Sequence, residues 1–170
     1  MLKGRRVLGS GAFLLLAFLI TPLSGWCTIE LPDSDKQENI AESFNLGAAD
    51  RIEIKYSGSR AGEEKTAFIS EVTNKEDIKI MVGGFADCRV AEISNSPYGF
   101  HGSIAFFSGN AELVKLNFTF HYHTPLFFKG ADCYIVHDGL FAAAFYKYLP
   151  EQKREDLLRI KKGIREGTLH

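Results

Sequence analysis

Glu112-Leu113-Val114-Lys115-Leu116-Asn117-Phe118-Thr119-Phe120-His121-Tyr122-His123 decides how this chain is read. Val114, Leu116, Phe118, Phe120 and Tyr122 alternate with Lys115, Asn117, Thr119, His121 and His123. Successive side chains on a strand leave opposite faces, so this period of two predicts one long strand with a buried face and a wet face. One solvated face is common in antiparallel sheets, where short turns join neighbouring strands.

Working outward, Ser103–Phe107 reads as the partner strand, joined through Ser108-Gly109-Asn110. Thr124–Lys129 and Asp132–His137 continue the series. Cys88–Ile93 precedes it and runs into the turn-forming stretch Ser94 to Gly99. Arg51–Tyr56 alternates as cleanly as the first stretch, with Ile52, Ile54 and Tyr56 on the core side. A Gly- and Ser-rich loop, Ser57–Glu64, leads to a return strand at Thr66–Val72.

Two helices interrupt the strands. Thr73 with Glu76 three residues on predicts a capping box, and Ile78, Met81, Val82 and Phe85 form one apolar stripe. Gly83-Gly84 weakens the end of that helix. Asp138 predicts the cap of a second helix, with Leu140, Phe141, Ala144, Phe145, Tyr148 and Leu149 as its stripe. Pro150 separates it from a basic tail helix edged by Leu157, Ile160 and Ile164. The expected fold is α+β: a mostly antiparallel sheet of about five to seven strands with two to three helices packed on one face.

The N-terminus has a different character. Lys3, Arg5 and Arg6 precede a stretch without charge, Ala12–Ile20 is dense in large apolar residues, and Pro22, Ser24 and Gly25 follow. That sequence of basic, apolar and small-residue regions predicts an export signal over residues 1–27. The dense apolar run is about half the roughly 20 residues of a free-standing span, so cleavage is preferred over an anchor. Leu23-Ser24-Gly25-Trp26-Cys27 resembles a bacterial lipoprotein box, except that Trp26 stands where a small residue belongs. The resemblance makes lipidation of Cys27 the alternative. The remaining divisions are a polar tether over 28–50, a globular domain over 51–150 and a basic C-terminal helix over 151–170.

The first 27 residues hold three of the 20 Lys and Arg and none of the 21 Asp and Glu, leaving the remainder near −4. That mild acidity excludes nucleic acid as the main partner and confines membrane contact to the N-terminal segment. In an oxidising compartment Cys88 and Cys133 are expected to pair, closing a loop worth about 3–4 kcal/mol in the chain-entropy model. The competing reading keeps both as small buried hydrophobes.

His121 and His123, two apart on a strand, share a face and form the candidate metal pair, with His101 or His137 as a third ligand. Lys115 on the same face counts against a cation there. Tyr98 and Phe100 flank Gly99 in a loop and are candidate anchors for a ligand or partner. Phe106-Phe107 and Phe127-Phe128 put one ring on each sheet face, so something besides the main core must cover one of each pair. No nucleophile elbow, zinc-protease motif, P-loop or dinucleotide fingerprint is present. The expectation is an exported, non-catalytic binding domain of the bacterial envelope or extracellular space, without cofactor, acting on a protein or envelope component. The alternative is a small metal-binding protein or metal-dependent enzyme using His121 and His123.

Overall fold

The computed structural model describes residues 37–58, 67–92, 99–136 and 138–168. Residues 1–27, read above as an export signal, and Tyr98 and His137 lie outside the described residues. In chain order the elements are β1 (Gln37–Glu38), α1 (Ile40–Ser43), a 3-10 turn (Leu46–Ala48), β2 (Arg51–Tyr56), β3 (Phe68–Val72), α2 (Lys75–Gly84) and β4 (Cys88–Glu92). There follow β5 (Gly102–Ser108), β6 (Ala111–His121), β7 (Thr124–Lys129), β8 (Asp132–Ile135), α3 (Gly139–Tyr146) and α4 (Glu151–Arg165).

All eight strands form one antiparallel sheet in the order β1-β4-β8-β7-β6-β5-β2-β3. Strands β5 to β8 are a meander, with the β2–β3 hairpin added at one side and β4 at the other. The strand from which the reading began sits inside the sheet, between β5 and β7. The α+β class and the antiparallel sheet are as expected. The described residues form eight strands and four helices, more than the five to seven strands and two to three helices anticipated, because the short β1 and α1 come from the stretch read as a tether.

The period of two in β6 does what it predicts. Val114, Leu116, Phe118 and Phe120 are buried together with Ile52, Ile54, Ile104, Phe106 and Phe127 from the neighbouring strands. Helices α2 and α3 close this face through Ile78, Met81, Phe85, Phe141, Ala144 and Phe145, and α4 adds Leu157. Phe85 meets Phe106, Phe127 and Phe141 edge-on, with ring centroids 5.0 to 5.6 Å apart. Such pairs add about 0.5–1.5 kcal/mol each beyond area burial.

Residues 37–50, expected to belong to a loose tether, are part of the folded unit. Ile40 and Leu46 are fully buried in the main core, and Asn39 caps α1 by accepting the Glu42 N–H at 3.0 Å. The polar composition of this stretch conceals two well-placed apolar anchors. Helix α2 starts one residue later than the Thr73 capping box implies: Asn74 Oδ1 accepts the N–H groups of Glu76 and Asp77 at 2.9 and 3.1 Å. Asn is as good a cap as Thr and satisfies two end donors at once. Asp138 caps α3 as expected, accepting Leu140 N–H at 2.8 Å.

The expected Cys88–Cys133 disulfide does not form; both cysteines are free and buried. Register explains why. Cys133 lies opposite Ala91, three residues along β4 from Cys88. At about 3.3 Å per residue that offset is near 10 Å, beyond the roughly 7 Å limit for a bridge. An odd offset also puts the two thiols on opposite faces. Cys88 packs in the main core, whereas Cys133 joins Ala91, Leu126, Phe128 and Ile135 in a second cluster behind the sheet.

That second cluster meets the demand made by the paired phenylalanines, without a helix. Phe127 faces the main core and Phe128 the second cluster, where Phe100 lies 5.3 Å from it between ring centroids. Phe107 is covered by the Arg51 guanidinium, 4.0 Å above its ring.

Candidate functional site

The histidine pair is rearranged by a turn. Strand β6 ends at His121, which pairs with Thr124, so Tyr122-His123 is a two-residue hairpin loop. Tyr122 has φ 53°, a left-handed conformation that reverses the chain where the alternation alone would continue it. His121 and His123 thus do not share a strand face, which corrects the geometry on which the metal pair rested. Tyr122 is half exposed rather than in the core.

His123 instead lines a small cavity of about 200 Å³ with Thr124, Pro125, Asp138 and Lys161. Its Nδ1 is buried without a hydrogen-bond partner, and the Tyr146 hydroxyl donates to its backbone carbonyl. Burial lowers the His123 pKa, and the Lys161 ammonium lowers it further. Burial alone lowers that of His121. Among the described residues no group of three or more His, Cys, Asp or Glu is placed to hold a metal. A lysine beside His123 repels any cation that approaches.

His101 belongs to a different arrangement. Its Nδ1 and Thr119 Oγ1 share a hydrogen bond of 2.7 Å, and its ring stacks on Tyr56 at 6.4 Å. Burial and the nearby Lys153 push its pKa down to about 4. Lys153 itself sits over the Phe120 ring, 4.9 Å from its centroid. His101 is therefore a neutral wedge between the sheet and α4, and Thr119, expected on a solvated face, is buried beneath it.

The two described cysteines are poor nucleophiles. Burial raises the Cys88 thiol to about 11 and the Cys133 thiol to about 12, so neither is a thiolate at neutral pH. Asp77 is committed to structure: its carboxylate accepts from Lys147 Nζ and the Tyr148 hydroxyl, both at 2.8 Å, tying α2 to the turn that follows α3.

Two further concave surfaces among the described residues bear on binding. Phe100, 44% exposed, borders a cleft of about 290 Å³ on the helix-free sheet face, with Lys55, Ser57, Ser103, Lys115 and Asn117. This is where the structure places one of the two aromatic anchors expected from sequence; Tyr98 lies outside the described residues. The larger surface was not foreseen. A groove of about 530 Å³ runs between α2 and the 3-10 turn, formed by Leu46, Ala49, Ile78 and Val82, with Gly47 and Gly83 leaving its mouth open. A Cβ built on either glycine would meet nothing within 4 Å. The residues were visible in the sequence as a helix stripe and a buried leucine. Their meeting was not, because Leu46 and Ile78 come together only through tertiary packing.

Compared with known proteins, the chain matches no family model, no curated protein and no solved structure. Among the described residues no helix is long and apolar enough to cross a membrane.

Proposed function

We propose that this chain is an exported, non-catalytic binding domain whose ligand lies in the groove between α2 and the 3-10 turn. The observation that carries the reading is the groove itself. It is the largest of the cavities described above, its volume falls in the range of small-ligand sites, and its floor is apolar. No cysteine or histidine is among the residues that line it. The export segment, with its basic start and apolar run, supports a role outside the cytoplasm.

The test uses N-phenyl-1-naphthylamine, a neutral apolar fluorophore, on the native protein and on Gly83→Leu. Leucine there fills the mouth of the groove from a position with open space and a better helix propensity than glycine. The reading expects fluorescence enhancement with the native protein and several-fold weaker binding to the variant at unchanged helical content. Equal binding by both, or none by the native protein, contradicts it.

A second reading places a partner at the Phe100 cleft, favoured by an exposed aromatic ring beside Lys55 and Lys115. Phe100→Ala, which spares the groove, separates the two.

A further inference from the structure

Apolar grooves are common and unselective, so the rim decides what this one takes. Val82 on α2 and Ala49 beside the 3-10 turn are half-buried and give the groove its apolar surface, with the buried Ile78 and Leu46 packed behind them. Lys75 and Lys79 are likewise four apart and both line the groove. Neither takes part in an ion pair among the described residues. Other lysines of the domain do: Lys55 with Glu53 at 3.2 Å and Lys147 with Asp77 at 2.8 Å. Lys115 and Lys161 are likewise without an ion pair among the described residues, so what marks Lys75 and Lys79 is their place beside the groove.

The other charged residue lining the groove is Asp50. Its Oδ2 already accepts the Gly109 N–H at 2.8 Å, so its carboxylate is held by the β5–β6 turn. An anionic head meets two lysines without an ion pair among the described residues, while a cationic head meets repulsion from both.

We infer that the groove binds an anionic amphiphile, a molecule with a hydrocarbon body and a carboxylate or phosphate head. The hydrocarbon lies along Ala49 and Val82, over the buried Ile78 and Leu46, and the head sits at Lys75 and Lys79. This rests on the groove being the ligand site, and the experiment is arranged so that the two ideas fail separately.

Three probes with the same dodecyl chain are titrated into the native protein by calorimetry, each below its micelle concentration. They are dodecanoate, neutral dodecyl maltoside and cationic dodecyltrimethylammonium. Two partly exposed charge contacts are worth about tenfold together. Dodecanoate should therefore bind about tenfold tighter than the maltoside, with the cation weakest, and the gap should narrow as salt is raised. The Lys75→Gln/Lys79→Gln double variant should bind dodecanoate and maltoside alike, keeping maltoside affinity at the native value. Both lysines are exposed, so this variant is expected to fold. Equal affinities for all three probes overturn the anionic class but leave the groove as a ligand site. Failure of every probe to bind overturns the groove reading, and the class with it.

Discussion

Gly84 of α2 faces Phe141 of α3 so closely that a Cβ at residue 84 would lie 2.6 Å from Phe141 Cδ2. The helix that floors the groove is pressed against its neighbour at one glycine and open at the glycine before it. The two positions therefore answer oppositely to the same substitution. Gly84→Ala must displace a fully buried ring and is expected to destabilise by about 1–3 kcal/mol. Gly83→Ala meets open space and should stabilise by about 0.5–1 kcal/mol through helix propensity. Urea unfolding of the pair checks both signs.

The Asp77 carboxylate is shifted below its usual range, chiefly by the hydrogen bond from Lys147, with help from Tyr148 and against the cost of burial. A carboxylate whose folded pKa is depressed binds fewer protons than in the unfolded chain. Its contribution is present above the unfolded value near 4 and lost as pH falls through the folded value. Asp77→Asn should cost about 1.5–3 kcal/mol at neutral pH. Its deficit against the native protein should shrink as unfolding is followed below about pH 4.

His101 titrates in a different window. Its folded pKa, about 4, lies below the unfolded value near 6.5. The unfolded chain therefore takes up the proton first as pH falls. The stability contributed by the neutral ring is complete above about 6.5 and lost progressively down to about 4. Allowing for solvent screening of a partly exposed ring, the change is about 1–2 kcal/mol. Urea midpoints of His101→Gln should fall less steeply than those of the native protein across that interval. Parallel slopes would remove His101 as their source.

Both buried thiols should resist modification while the protein is folded. Unfolding without reductant, followed by alkylation and peptide mapping, should label Cys88 and Cys133 fully. Recovery of a peptide that joins them would contradict the register of β4 against β8.

Much of the sheet was legible because β2 and β6 bury one face and wet the other, and a period of two records that in the residue order. What escaped depends on relations the order does not carry. The β6–β7 turn has no Gly or Asn to announce it; Tyr122 takes the left-handed conformation, and the alternation runs straight through it. The cysteine pairing fails on a three-residue offset between β4 and β8, which no local pattern encodes. The groove joins a 3-10 turn to a helix more than two dozen residues further along the chain, so Gly83 read only as a weak helix end.

Backbone amide NMR during titration with dodecanoate tests the central claim most directly, since it reports where the ligand lies. The account predicts shifts concentrated at Leu46 to Asp50 and Lys75 to Gly83, lost in Gly83→Leu. Shifts centred on Phe100, Ser103, Lys115 and Asn117, or none at saturating probe, would contradict it.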